Sequence, residues 1–217
     1  MRFQAVIFDM DGTLLETEAM VIASGLDAMA ALDLAPRRDL LESLVGTITR
    51  DAAPVFEAVY GAGFSMQALE AEWDRSLAAR IARGIPLRPG ASALLAHLDR
   101  IGMKRALATN SRTVAAHDHL ARAGIRGFFA DEHIHGRDRV EHPKPAPDLF
   151  LHAAETLGVD PDDCVVFEDS DPGATGAVAA GMTCVLVPDQ RPPAFSGPHV
   201  RAASLLEGAR AVGIMPG

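Results

Sequence analysis

The chain has 217 residues, 48% of them hydrophobic and 23% charged, which suits one domain with an insertion or two modest domains around a proper core. Its net charge of −9 offers no basic field to nucleic acid or to an acidic membrane, and no apolar run approaches the length of a membrane span. Asp9 and Asp11 interrupt the first hydrophobic stretch too early for a secretory signal, so a cytoplasmic monomer is expected, with Cys164 and Cys184 as reduced, buried apolar groups.

The apolar run Val6-Ile7-Phe8 reads as a central parallel strand ending in Asp9 and Asp11. Four helical stretches follow with no strand between them: 16–32, 37–44, 49–60 and 65–83, the last stopped by Gly84. From Leu87 onward strands and helices alternate. Helices are expected at 90–101, 113–123, 147–157 and 172–180, and strands at 105–108, near Phe128 and Phe129, at 164–167 and at 184–187. Asp171 is the expected cap of the helix at 172–180, and His133-Ile134-His135 with His142 reads as a polar loop rather than a metal site. A proline-rich loop at 188–198 precedes a last weak helix at 202–211. The pattern implies an α/β fold, a doubly wound parallel sheet with a Rossmann-like core, carrying an inserted all-helical cap. The expected boundaries are 1–15 and 87–217 for the core and 16–86 for the cap.

Four motifs fall at the ends of these strands or in the loops after them. Asp9 and Asp11 are two residues apart at a strand end, where alternation would point both the same way; like charges so placed need a cation, a substrate or a shared proton. Gly12 supplies the tight turn behind them. Thr109-Asn110-Ser111 sets hydroxyl and amide groups at a helix start, which suits a phosphate oxygen and equally suits helix capping. Lys144 stands between Pro143 and Pro145, either a rigidly held ammonium or an exposed lysine in a stiff loop. Glu168 and Asp169 end a second apolar strand, and hard oxygen donors from two strand ends are what Mg²⁺ needs.

In this order the set Asp9-x-Asp11-Gly12-Thr13, Thr109-Asn110, Lys144 and Glu168-Asp169-Ser170 resembles the motifs of the haloacid dehalogenase superfamily, in its phosphatase and phosphomutase branch. The second aspartate argues against a carbon–halogen substrate. The resemblance implies that Asp9 is the nucleophile, forming an aspartyl-phosphate, and that Asp11 is general acid and then general base. It implies Mg²⁺ held by Asp9, Asp169 and the main-chain carbonyl of Asp11, with Glu168 a ligand or a partner one layer out. Lys144 would act as a point charge on nucleophile and phosphoryl group, and Thr109 and Asn110 would hold the remaining phosphoryl oxygens.

Selectivity would come from the cap, with Glu16, Thr17 and the loop holding Thr47 and Arg50 as candidates. Arg50 reads either as a partner for a substrate carboxylate or second phosphate, or as a surface arginine. That loop also resembles the β-phosphoglucomutase-like proteins. Here, however, the arginine lies four residues after Gly46 rather than three, and Thr13 replaces an aliphatic residue. The implied activity is therefore hydrolysis of a small phosphate monoester, with a sugar-phosphate mutase and a non-catalytic phosphoester-binding module as alternatives. The implied partner is a small phosphorylated metabolite. No Gly-x-Gly-x-x-Gly follows a strand, which excludes a dinucleotide-binding reading.

Overall fold

Val6, Ile7 and Phe8, all of high strand propensity, follow Ala5 in the first strand, β1 (Ala5–Phe8), and all four residues are buried. The computed structural model describes residues 2–44, 49–61, 63–190, 193–197 and 199–216, leaving aside the side chains of 43, 44 and 49–52. The chain divides into two compact units, Met1–Glu16 with Ile85–Gly217, and Thr17–Gly84.

The helical unit consists of α1 (Thr17–Ala31), α2 (Arg38–Leu44), α3 (Thr49–Tyr60) and α4 (Met66–Ala82). Ile22, Met29, Leu41, Phe56 and Leu69 make its core, and Phe56, Tyr60 and Phe64 stack in sequence. Ser65 caps α4 by accepting the Ala68 N–H, and the indole of Trp73 donates to the Val21 carbonyl.

The second unit continues with α5 (Ala91–Arg100), β2 (Lys104–Thr109), α6 (Thr113–Arg122), β3 (Ile134–Gly136), α7 (Asp148–Leu157), β4 (Cys164–Glu168), α8 (Asp171–Ala179), β5 (Thr183–Leu186), β6 (Val200–Arg201) and α9 (Leu205–Ala211). The six strands form one parallel sheet in the order β3-β2-β1-β4-β5-β6. Ala5, Ile7, Ala108 and Val166 pack against Leu149, Phe150, Ala153, Ala174 and Ala177, so α7 and α8 cover one face. On the other, Phe8 stacks on Phe167, and Gly208 of α9 lies so close to Val185 that an added Cβ would sit 2.4 Å from it. Helices on both faces make the sheet doubly wound.

Chain order runs outward from β1 to β3, then returns to β4 on the other side of β1. A crevice for ligands opens at such a reversal, beyond the carboxyl ends of the strands. Phe8 pairs with Phe167, so Asp9 and Glu168 emerge side by side at that point.

Three local expectations are corrected. Phe128 ends a 3-10 turn (Arg126–Phe128), and no strand begins there; Phe129 instead packs edge-on against Phe8 at 6.4 Å. The strand lies later, in Ile134–Gly136, within the stretch that reads as a polar loop. His135 is tolerated there because its Nε2 meets the Thr156 hydroxyl at 2.9 Å and Ala108 is its neighbour in the sheet. The cap of α8 is Ser170 rather than Asp171: the Ser170 hydroxyl accepts the Gly173 N–H, while Asp171 accepts the Phe195 N–H. Cys164 and Cys184 are free and buried, as expected. Among the described residues no helix is long and apolar enough to cross a membrane.

Candidate active site

The turn after β1 builds the first wall of the site. Leu14 and Leu15 both donate their N–H groups to the Met10 carbonyl, and Gly12 donates to Leu15. Gly12 takes φ +82°, and a Cβ there would lie 2.4 Å from Asp169 Oδ2, so glycine is required twice over. Thr13 donates to Asp169 Oδ1 at 3.0 Å, tying the two strand ends together.

The Asp9, Glu168 and Asp169 carboxylates are all buried and bring ligand oxygens within 4.8 Å of one another. Lys144 answers part of that charge: its Nζ donates to Asp9 Oδ1 and to Glu168 Oε1, each at 2.6 Å, and lies 4.9 Å from the centre of the Phe150 ring. Burial works against the ammonium, but the two carboxylates outweigh it and raise its pKa above the ordinary value. The same burial pushes Asp9 up to about 8, against the pull of Lys144 and with the push of Glu168 and Asp11. Three buried carboxylates against one ammonium leave a surplus of negative charge, and the donors are all hard oxygens. Such a set fits a small divalent cation such as Mg²⁺.

Glu168 is held on every side. Its Oε2 accepts the Asp169 N–H, the Ser170 N–H and the Ser170 hydroxyl. A Cβ on Gly173 would lie 1.8 Å from its carboxyl carbon, so only glycine leaves room for this side chain beneath the first turn of α8.

Asp11 is placed differently from what strand alternation implies. The strand ends at Phe8, and the turn that follows carries the Asp11 carboxylate out of the acidic cluster. Its Oδ2 accepts the Ser111 hydroxyl at 2.8 Å, and its Oδ1 lies 4.0 Å from His119 Nδ1 on α6. Thr109 is buried, and its Oγ1 accepts the Ser111 N–H, leaving its own hydroxyl proton free to donate elsewhere. Asn110 grips the main chain of Lys144 at two points, accepting its N–H and donating to its carbonyl, both at 3.1 Å. Its amide therefore sets the lysine loop and retains one N–H. Thr47 lies outside the described residues. Arg50 stands in α3, its side chain likewise outside them.

Residue-by-residue reading missed Gly173 and His119 as parts of the site, and it placed Ser111 and Ser170 in the motifs without giving either a role. Ser170 and Gly173 carried a usable signal, since a Ser-x-x-Gly after a strand end is a helix start packed against whatever precedes it. His119 carried none, because it is brought to Asp11 only by the placement of α6.

Comparison with known proteins matches residues 3–181 to the family described as haloacid dehalogenase-like hydrolase. The fructose-1-phosphate phosphatase YqaB of Escherichia coli K12 is 33% identical over 184 residues, covering 85% of this chain and 96% of that protein. Hexitol phosphatase A of the same organism is 33% identical over 189 residues, covering 86% and 84%. Among solved structures, a hydrolase of the same superfamily from Deinococcus radiodurans R1, with bound phosphate and sodium, superposes with a TM-score of 0.79 at 27% identity, covering 97% and 96%.

Proposed function

Because the chain belongs to the haloacid dehalogenase-like hydrolases, we propose that it is a Mg²⁺-dependent phosphatase of a small sugar phosphate or sugar-alcohol phosphate, working through an aspartyl-phosphate on Asp9. One observation carries the reading: Lys144 bridges Asp9 and Glu168 at 2.6 Å beside a third buried carboxylate, Asp169. That arrangement fixes the carboxylate nucleophile beside an ammonium that favours its anionic form, and it leaves negative charge for a cation to answer. The sugar and sugar-alcohol substrates follow from the names of the two Escherichia coli relatives described above, each 33% identical. The same names favour hydrolysis over a mutase, and the presence of both Asp9 and Asp11 disfavours a binding module.

Mg²⁺, held by Asp9, Asp169 and the main-chain carbonyl of Asp11, would neutralise charge on the phosphoryl oxygens. Glu168 has both oxygens engaged by Lys144 and the 169–170 segment, so its first task is to aim the ammonium. Asp9 attacks phosphorus and the bond to the leaving oxygen breaks, with Asp11 giving that oxygen its proton. Asp11 then takes a proton from the water that attacks the acyl phosphate, which releases inorganic phosphate and restores Asp9. The Thr109 hydroxyl and the remaining Asn110 N–H donate to phosphoryl oxygens, and Gly12 contributes room, its own N–H being bonded to Leu15. Thr47 and Arg50 are candidates for gripping the rest of the substrate. We further assign 16–86 as the substrate-selecting cap.

The test is a screen of phosphate monoesters with Mg²⁺, reading released phosphate for the wild type and for Asp9→Asn. Release from several small sugar phosphates, stopped by EDTA, restored by Mg²⁺ and lost in Asp9→Asn, is expected. Turnover that survives in Asp9→Asn overturns the reading. Bisphosphate-dependent isomerisation of glucose 1-phosphate would replace it with the mutase.

A further inference from the structure

Asp11 has a second neighbour that the hydrolase reading does not use. His119 lies on the inner side of α6, and its Nδ1 is fully buried with no hydrogen-bond partner. The atom it faces is Asp11 Oδ1, 4.0 Å away, while the other oxygen of that carboxylate is held by Ser111 at 2.8 Å. A buried ring nitrogen without a partner is uncommon, and the remedy within reach is a shift of about 1 Å that makes a bond to the carboxylate. The N–H tautomer at Nδ1 supplies the donor that Asp11 lacks on that side.

The geometry points to His119 as a positioning residue for Asp11, clamping its carboxylate from the side opposite Ser111. Resting on the assignment of Asp11 as the proton-transfer group, this explains why that carboxylate stands apart from the acidic cluster although Asp9 is only two residues away. Two donors, one from the loop after β2 and one from α6, hold it toward the leaving oxygen. A carboxylate gripped only by Ser111 would rotate about that single bond and lose its alignment. The role needs a hydrogen-bond donor at the Nδ1 position and does not depend on a charged imidazole.

The experiment compares fructose 1-phosphate, whose leaving alkoxide needs a proton, with p-nitrophenyl phosphate, whose leaving phenolate does not. His119→Leu and His119→Gln remove the donor from the Nδ1 position, whereas His119→Asn places an amide N–H near it. With the first two variants, kcat for fructose 1-phosphate is expected to fall about tenfold with KM within about twofold, a fraction of what general acid catalysis supplies. Because p-nitrophenolate leaves without a proton, p-nitrophenyl phosphate calls on Asp11 only in the water step, so its kcat falls less than that for fructose 1-phosphate. His119→Asn restores most of the loss. In an Asp11→Asn background, His119→Leu has no further effect. The inference is overturned if Asp11→Asn slows the alkyl ester but His119→Leu does not. It is also overturned if all three His119 variants lose the same activity on both esters, which marks a packing role. If Asp11→Asn itself leaves the alkyl ester unaffected, the underlying assignment falls and takes the inference with it.

Discussion

Gly173→Ala offers the sharpest check on how the acidic cluster is built. In an ordinary helix this change is stabilising by up to about 1 kcal/mol, because alanine is the better helix former. Here the added methyl would lie 1.8 Å from the Glu168 carboxyl carbon and 1.9 Å from Oε1. The carboxylate has to move, and Oε1 is the atom that holds Lys144 at 2.6 Å. Displacing it loosens a buried charged pair and the bonds to the Asp169 and Ser170 N–H groups. Breaking such a pair costs about 3–5 kcal/mol, and the propensity gain offsets about 1. A net loss of about 3 kcal/mol corresponds to a fall in Tm of roughly 6–12 °C for a chain of this size. Thermal unfolding by far-UV circular dichroism measures it, and p-nitrophenyl phosphate turnover should fall at least about tenfold, because Lys144 loses one of its two anchors. A Gly173→Ala protein as stable and as active as the wild type would refute the claim that this glycine exists to admit Glu168.

The remaining predictions concern the imidazole in the sheet, the two thiols and the helical unit. Burial, with the His152 ring 4.7 Å away, pushes His135 down to about 4 from an ordinary 6.5. The unfolded chain therefore binds the proton first as pH falls, so this stabilisation is present above about 6.5 and is lost between there and about 4, by up to about 3 kcal/mol. Urea midpoints at pH 7 and pH 4.5 should differ less in His135→Gln than in the wild type; equal differences would remove the effect. Burial raises Cys164 to about 11 and Cys184 to about 12, so a thiol reagent at pH 8 should titrate neither until urea is added. Ser65→Ala should cost about 1 kcal/mol by uncapping α4, read from the fluorescence of Trp73, the sole tryptophan, which lies on that helix.

Sequence by itself determined most of the element order, the short strands β3 and β6 excepted, together with the parallel sheet and the identity of the chemical groups. Buried strands such as Val6-Ile7-Phe8 and Val165-Val166-Phe167 are continuous apolar runs, and glycines such as Gly84 and Gly181 mark where helices stop. These are local properties of the chain. The reading failed where local character and tertiary context disagree. Ile134-His135-Gly136 looks polar and short, yet it becomes a strand because β2 offers it a hydrogen-bonded edge and Thr156 satisfies the imidazole. Asp171 is as good a cap by type as Ser170, and only the backbone path toward Phe195 separates them. Which partner each site group takes was decided by tertiary structure alone. Asn110 grips the Lys144 loop, Glu168 aims the lysine, and Asp11 leaves the cluster for Ser111 and His119. Hydrogen bonds and charge pairs act over about 3–4 Å between residues as far apart in sequence as Asp11 and His119, and no pattern in the chain records distances that only the packed sheet and helices create.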